Sequence, residues 1–205
     1  MTRHEASLPP SYFDERYARD PDPWQFATSA YERAKYAATL DALPRQRYGS
    51  ALEVGCSIGV LTEALAGRCD ALVGIDVAER ALAQARERCR ALPHVRFACV
   101  QVPGRWPESR FDLILLSEVV YYLDADDVAR LAGRIADCLR PGGDVLLVHW
   151  TGRTHYPLTG DEAAETFIRN AAGFLGVSRQ ARTPEYRLDV LRDCRTPARP
   201  DPACR

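Results

Sequence analysis

Short apolar segments alternate with amphipathic helical segments along the chain, and this alternation constrains the fold more than any other feature. The clearest helix covers residues 124–139, where Val128, Leu131, Ile135 and Leu139 share one face. Further helices are predicted at 29–43, from the turn at 59 to about 67, at 78–92 and at 161–172, and strands at 51–54, 71–75, 95–100, 111–116, 145–148, 174–179 and 186–194. Strands separated by helices predict an α/β fold: a mostly parallel seven-stranded sheet with helices on both faces.

The length of 205 residues predicts a single domain that covers residues 1–205. Residues 48–194 are expected to form its core, and residues 12–43 an N-terminal segment that covers the functional site as a lid. Ser29 and Glu32 have capping-box spacing, which predicts the start of a helix in this segment. The first dozen residues and residues 195–205 are rich in polar side chains and proline, so we expect both to be disordered or loosely attached.

Composition disfavours several classes of function. The formal net charge of −1, with both signs interspersed, argues against a nucleic-acid partner. Lys35 is the only lysine, which makes pyridoxal phosphate chemistry an improbable reading. The seven cysteines form no C-x-x-C pair and the four histidines have no ligand spacing, so we expect reduced thiols, a cytoplasmic protein and no metal. No apolar run approaches the roughly 20 residues of a membrane span, so no membrane partner is expected.

A glycine-rich turn directly after a predicted strand carries the strongest functional signal. Residues 52–59 read Leu-Glu-Val-Gly-Cys-Ser-Ile-Gly, and the next strand ends in Asp76, which lies 21 residues after Gly55. Such a turn lets a ligand approach the backbone and the N-terminus of the following helix. The acidic residue at the end of the second strand is placed to accept the ribose hydroxyls of a nucleoside. The pattern therefore predicts a nucleoside site but does not identify the nucleoside. A purely structural role for Asp76 is the alternative, in which its side chain caps the helix that begins near Ala78.

Two other readings compete for this turn. A dinucleotide site needs glycines in the G-x-G-x-x-G pattern, whereas Ser57 and Val60 stand at the second and third positions. The turn is also formally G-x-S-x-G, which would make Ser57 the nucleophile of a serine hydrolase with His149 or His155 as its base. The hydrolase interpretation is weakened because only about one strand of the sheet could precede Ser57. It also leaves Asp76 without a role.

Four segments resemble successive motifs of the class I S-adenosylmethionine-dependent methyltransferases. They lie at 53–59, 74–76, 111–115 and 139–143. Within that superfamily, the segments 22–24, 29–32, 117–123 and 164–166 resemble the NodS family, whose members N-methylate the free amine of a deacetylated chitooligosaccharide. The resemblance implies a Rossmann-like sheet whose last strand is antiparallel and S-adenosylmethionine as the cofactor. It also implies a small-molecule methyl acceptor, which we expect to be the amine of an amino sugar or oligosaccharide. Another small metabolite, methylated at nitrogen or oxygen, is the alternative, and the protein is expected to be a monomer or a homodimer.

The resemblance assigns the cofactor to residues on five parts of the chain. The predicted cofactor-binding residues are Trp24, Tyr36, Gly55, Ser57, Gly59, Asp76, Val77, Gln101, Val102 and Ser117. One departure lies after the third strand, where many relatives carry an aspartate that binds the adenine amino group. Here Gln101 offers a carbonyl oxygen as the acceptor, and Val102 an apolar surface for the ring. Trp24, Tyr31 or Tyr36 would offer an aromatic face to the sulfonium, or would only pack against the sheet.

Three residues near the ends of strands are the candidates for catalysis. Glu118 would hold the acceptor amine or take its proton, or would form a hydrogen bond with a lid residue instead. His149 ends the fifth predicted strand and is expected to face the same cleft as a base or substrate contact, or to be a hydrogen-bonded strand-end histidine. Tyr122 is the third candidate, although the sequence does not decide whether Tyr121 or Tyr122 faces the substrate.

Overall fold

A computed structural model describes residues 3–195. The helices are α1 (Pro10–Arg19), α2 (Ala30–Asp41), α3 (Val60–Ala66), α4 (Glu79–Arg88), α5 (Ala125–Cys138) and α6 (Gly160–Ala171), with a short 3-10 helix at Val120–Tyr122. The strands are β1 (Ala51–Val54), β2 (Leu72–Asp76), β3 (Val95–Cys99), β4 (Phe111–Ser117), β5 (Leu139–Trp150), β6 (Leu175–Arg182) and β7 (Tyr186–Asp193). Within the described residues, no helix is long and apolar enough to cross a bilayer.

The seven strands form one sheet in the order β3-β2-β1-β4-β5-β7-β6. Strands β1 to β5 pair in parallel, whereas β7 runs antiparallel to both β5 and β6. The predicted mostly parallel seven-stranded sheet with an antiparallel last strand is therefore confirmed. The strand order reverses between β1 and β4, and such a reversal opens a crevice at the carboxyl ends of the strands.

Alternating side chains of the central strands supply two cores, one on each face of the sheet. In β4, Leu113 and Leu115 face the cluster that includes α2 and α3, whereas Ile114 and Leu116 face the cluster that includes α5 and α6. All four side chains are fully buried. Because side chains of a strand point alternately to its two faces, a run of consecutive apolar residues requires helices on both sides.

Helix starts follow from side chains that accept backbone amides. The side chain of Ser29 accepts a hydrogen bond from the amide of Glu32 at the start of α2, as the spacing predicts. The Glu32 side chain does not complete the capping box, because it does not bind the amide of Ser29. Thr159 and Glu162 form a complete capping box at α6. Each such cap satisfies amides that the first helical turn leaves without an intrahelical partner.

The prediction of a loosely attached N-terminus is wrong for the described residues. Leu8 is buried and its amide donates to the carbonyl of Tyr122 at 2.8 Å, and the following residues form α1. Arg3 is hydrogen-bonded to Glu162 and to the carbonyls before α6. Few apolar residues mark this segment, so its attachment depends on tertiary contacts that composition does not reveal. Of the predicted disordered tail, residues 196–205 lie outside the described residues.

Two strands are longer than predicted. β5 begins at Leu139, which pairs with Phe111, and the register shifts between Phe111 and Leu113. The glycines at 142 and 143, which predict the end of a helix, lie inside this irregular strand. β6 continues to Arg182 because its antiparallel partner β7 extends the pairing. In both cases pairing with a neighbouring strand overrides the local signal.

Gly59 joins the glycine-rich turn to α3 in a backbone conformation with φ of 80°, and a Cβ at this position would lie 2.9 Å from Cα of Ala85 in α4. Gly59→Ala should therefore lower the free energy of unfolding by about 2 kcal/mol or more. Gly133→Ala is the matched control because a Cβ there meets nothing within 4 Å in the exposed middle of α5. Urea unfolding should show a free energy of unfolding about 1 kcal/mol higher for this control than for the wild type. Equal effects of the two variants would contradict the packing.

Candidate active site

A cavity of about 730 Å³, counted with its mouth, lies where the strand order reverses, at the carboxyl ends of β1, β2 and β4. Eight of the ten predicted cofactor-binding residues line it: Trp24, Gly55, Ser57, Asp76, Val77, Gln101, Val102 and Ser117. Tyr36 lies instead in a smaller cleft that shares Gly55 and Glu118 with this cavity, and Gly59 lies behind the turn against α4.

The glycine-rich turn brings the backbone of β1 close to two other elements. Gly55 has φ of 80°, and a Cβ on it would lie 2.9 Å from the carbonyl oxygen of Ser117. Its amide donates to the carbonyl of Ile75 at 2.8 Å. Only glycine combines this conformation with so close an approach, so the first glycine of the motif holds β1, β2 and β4 together at the cavity.

Asp76 connects this turn to the end of β2. Its Oδ2 accepts from the amide of Ser57 and its Oδ1 from the amide of Ala78, both at 2.9 Å. Burial raises the pKa of Asp76, and these amides oppose the rise. A carboxylate has about four acceptor positions, so two remain for a ligand in the cavity. Asp76 therefore binds the amide of Ala78, the residue that precedes α4, and also lines the cavity. It does not cap α4, whose N-terminus has no side-chain cap, and binding of a ribose by Asp76 stays a prediction.

The cavity is suited to a nucleoside with a cationic centre. Asp76 presents acceptors for hydroxyl groups, and beyond β3 an amide side chain, Gln101, stands beside the apolar Val102. Trp24 and Phe26, which lie between α1 and α2, also line the cavity, and their rings stack with centroids 5.8 Å apart. Among the described residues, the charged side chains that line the cavity are the carboxylates Asp76 and Glu118. This set of donors, acceptors and rings fits S-adenosylmethionine.

Glu118 lines the cavity but is held by three other residues. Lys35 donates to its Oε1, the hydroxyl of Tyr121 donates to its Oε2 at 2.7 Å, and the amide of Trp150 donates to the same oxygen at 2.8 Å. Its backbone has φ of 53°. The predicted alternative, a hydrogen bond to a residue of the N-terminal segment 12–43, is therefore present through Lys35. A catalytic role for Glu118 stays a prediction.

Lys35 is a residue that sequence reasoning did not place in the site. It is buried in α2, with its ammonium 3.0 Å from Glu32 Oε1 and also paired with Glu118. The ammonium lies 5.1 Å from the centroid of the Tyr31 ring. Burial raises the pKa of Glu32. Lys35 stands out in the sequence because it is the only lysine of the chain. Nothing in the sequence, however, indicates which carboxylates it contacts.

His149 lies elsewhere than predicted. It is 1% exposed, it is not part of the cavity lining, and its Nε2 accepts the amide of Val120 at 3.2 Å. Burial lowers the pKa of His149 to about 4, so the ring is neutral at physiological pH. The expectation that His149 faces the cleft is wrong. Its ring lies against the 3-10 helix instead, where it contacts the ring of Tyr121 and accepts the amide of Val120.

Of the two neighbouring tyrosines, Tyr122 lines the cavity, where it packs edge-on against Phe13 with ring centroids 4.9 Å apart. Tyr121 is buried, stacks on Tyr156 and uses its hydroxyl to bind Glu118. Leu8, Phe13 and Tyr17 also line the cavity. Sequence reasoning missed all three because it predicted neither α1 nor the attachment of the segment before it. Tyr31, considered for the sulfonium, packs on Trp150 and Tyr186 instead.

The serine hydrolase reading is not favoured by the geometry. The hydroxyl of Ser57 is hydrogen-bonded to the hydroxyl of Tyr17 at 2.5 Å. Within residues 3–195, no histidine is hydrogen-bonded to Ser57, and His155 lies on an exposed loop. Nucleophilic catalysis by serine requires a base within hydrogen-bond reach.

A seven-stranded sheet in this order, with a glycine-rich turn after β1 and an acidic residue after β2 at one cavity, is the fold of class I S-adenosylmethionine-dependent methyltransferases. Residues 14–149 match the family described as nodulation protein S (NodS). The chain belongs to the NodS family.

Two curated relatives agree with this membership. Nodulation protein S of Rhizobium tropici is 35% identical over 127 residues, which cover 61% of this chain and 53% of the relative. Nodulation protein S of Bradyrhizobium diazoefficiens is 38% identical over 110 residues, 53% of either chain. The aligned part therefore spans about half the length of these curated relatives.

Solved structures share the fold. A provisionally assigned methyltransferase from Pseudomonas syringae is 36% identical, with a TM-score of 0.71 over 80% of this chain and 99% of that one. N-methyltransferase NodS from Bradyrhizobium japonicum WM9, in complex with S-adenosyl-L-homocysteine, has a TM-score of 0.75 at 23% identity, over 91% of this chain and 99% of that one.

Glu53 of β1 adds a testable pH dependence. It is 1% exposed, its Oε2 finds no hydrogen-bond partner within residues 3–195, and burial raises its pKa to about 8. The unfolded chain loses this proton near pH 4.5, whereas the folded chain keeps it up to about pH 8, so the contribution of Glu53 to stability falls as the pH rises between these values.

Glu53→Gln removes this titration. The free energy of unfolding of the variant relative to the wild type should therefore increase between pH 5 and pH 8, by on the order of 3 kcal/mol. Urea unfolding of both proteins without ligand at several pH values measures the difference. Parallel pH profiles would contradict a neutral Glu53 in the folded state.

Proposed function

We propose that this protein is an S-adenosylmethionine-dependent methyltransferase that N-methylates the amine of an amino sugar or oligosaccharide. The observation that carries the proposal is the cavity at the strand reversal, where the carboxylate of Asp76 stands beside the turn at Gly55. Membership of the NodS family supports it, since NodS of Bradyrhizobium japonicum WM9 is described as an N-methyltransferase and was crystallised with S-adenosyl-L-homocysteine.

The cofactor supplies an electrophilic methyl group on a sulfonium. Asp76 would bind the ribose hydroxyls, and Gln101 with Val102 would receive the adenine. Trp24 and Phe26 would exclude water and place aromatic faces near the positive charge. Methyl transfer requires the acceptor to be in line with the breaking bond, so most of the rate enhancement comes from position and a dry cavity.

Glu118 is the residue to which we assign the acceptor amine. Its Oε2 already accepts two hydrogen bonds, whereas Oε1 accepts one, from Lys35, and has a lone pair left at the cavity. The group of Lys35, Glu32 and Glu118 has a formal charge of −1 when all three are ionised, which favours a cationic amine. Glu118 would bind the ammonium form and accept the proton that the amine loses before or during attack.

Methylation of another small metabolite, at nitrogen or oxygen, is the second candidate. The aromatic walls and two carboxylates fit any small uncharged or cationic acceptor. A cytoplasmic location, the absence of a nucleic-acid partner and a monomeric or homodimeric state stay predictions.

A transfer assay tests the proposal. We expect the wild type to transfer one or more methyl groups from S-adenosylmethionine to a tetramer of β-1,4-linked glucosamine, detected by mass spectrometry. Glu118→Gln should lower kcat by about 10²–10⁴-fold, because proton transfer contributes that much, while affinity for S-adenosylhomocysteine changes only a few-fold.

Glu87→Gln, an exposed carboxylate of α4, is the control and should leave kcat unchanged. Transfer to oxygen instead of nitrogen would favour the second candidate. Equal rates for wild type and Glu118→Gln would overturn the assignment of Glu118.

A further inference from the structure

Ser57 has a backbone conformation that a side chain disfavours. Its φ of 50° lies in the left-handed region, as do those of Gly55 and Gly59 on either side. A residue other than glycine rarely adopts this conformation, and when it does the strain is held by surrounding structure and often marks a functional contact. The backbone of the turn would favour glycine at position 57, so the presence of a serine side chain there needs a separate reason.

The side chain of Ser57 reaches across to α1. Its Oγ lies 2.5 Å from the hydroxyl oxygen of Tyr17, and both residues line the cavity. Tyr17 is only 6% exposed, and burial raises its pKa, so its hydroxyl stays neutral and keeps its proton. The amide of Ser57 donates to Asp76, so one connected chain of hydrogen bonds runs from α1 through the turn to β2.

The position of α1 determines the shape of the cavity wall. Besides Tyr17, α1 contributes Phe13, which packs on Tyr122. The ring of Tyr17 lies 5.5 Å from that of Trp24, which lines the same wall. A movement of α1 away from the turn would displace these side chains together and open the cavity toward solvent.

We infer that Tyr17 and Ser57 form a latch, in which their hydrogen bond holds α1 against the glycine-rich turn and so retains the nucleoside ligand in the cavity. Tyr17 acts in this latch as a positioning residue, and opening of the latch precedes release of the ligand. The inference rests on the proposed function only in that the ligand is S-adenosylmethionine or S-adenosylhomocysteine.

Release kinetics test the latch without a methyl acceptor. Stopped-flow tryptophan fluorescence with S-adenosylhomocysteine measures association and dissociation for the wild type, Tyr17→Phe, Ser57→Ala and the double variant. Each single variant should release the ligand about five-fold faster, which corresponds to about 1 kcal/mol, and associate within two-fold of the wild type. The double variant should resemble either single variant because both remove the same hydrogen bond.

Two further variants separate the latch from a general structural role. Tyr12→Phe removes another hydroxyl of α1, one that contacts Arg16 rather than the turn, and should leave release unchanged. Ser57→Gly removes the hydroxyl and also relieves the strained backbone. It should therefore release the ligand faster while the ligand-free protein melts at the same or a higher temperature.

Additive effects of the two single variants, or release within two-fold of the wild type in both, would overturn the latch. Faster release in Ser57→Gly that is accompanied by a lower melting temperature would assign the effect to stability and would also overturn it. If the wild type fails to bind S-adenosylhomocysteine, the proposed function itself fails, and the latch fails with it.

Discussion

The two oxygens of Asp76 accept the amides of Ser57 and Ala78, and the arrangement of the site depends on this pair of hydrogen bonds. They connect the turn after β1 to the segment between β2 and α4, which pass each other where the strand order reverses. Gly55 allows the turn to approach Ser117 at the end of β4. Three neighbouring strands thereby end at one point, and the carboxylate that joins the turn after β1 to the end of β2 has acceptor positions left for a ligand.

Three carboxylates lie around this point. Glu53, Asp76 and Glu118 lie at the ends of neighbouring strands, and burial raises the pKa of the first two. Removing charged groups from water is expensive unless each is paired, protonated or hydrogen-bonded. Each carboxylate meets this cost in its own way: Glu53 by keeping its proton, Asp76 by accepting two amides, and Glu118 by pairing with Lys35. The two carboxylates that line the cavity, Asp76 and Glu118, are suited to a cofactor with a sulfonium and to an acceptor with an amine.

The sheet and the cofactor side of the cavity were predictable because their signals are local. Residues 111–117 include a short run of consecutive apolar residues, which is typical of a strand buried on both faces. The glycines and Asp76 mark positions where a turn and a ligand need those residue types. The side of the cavity at Glu118 was less predictable because it depends on contacts between distant segments. Lys35 meets Glu118 from α2, and His149 turns toward the amide of Val120 rather than the cavity. Nothing within the segment around α1 indicates that Tyr17 reaches Ser57, since the hydrogen bond joins residues 40 positions apart.

Calorimetric titration with S-adenosylhomocysteine of the wild type, Asp76→Ala and Asp76→Asn measures whether Asp76 binds the cofactor. We expect Asp76→Ala to weaken binding at least ten-fold, because charge-assisted hydrogen bonds to the ribose contribute roughly 1.5–3 kcal/mol each. Asp76→Asn should weaken binding less, and Asp70→Asn, an exposed control before β2, should bind as the wild type does. Because Asp76 also holds two amides, Asp76→Ala should lower the melting temperature of the ligand-free protein as well. Undiminished affinity in Asp76→Ala, with only the melting temperature lowered, would contradict the placement of the cofactor at Asp76.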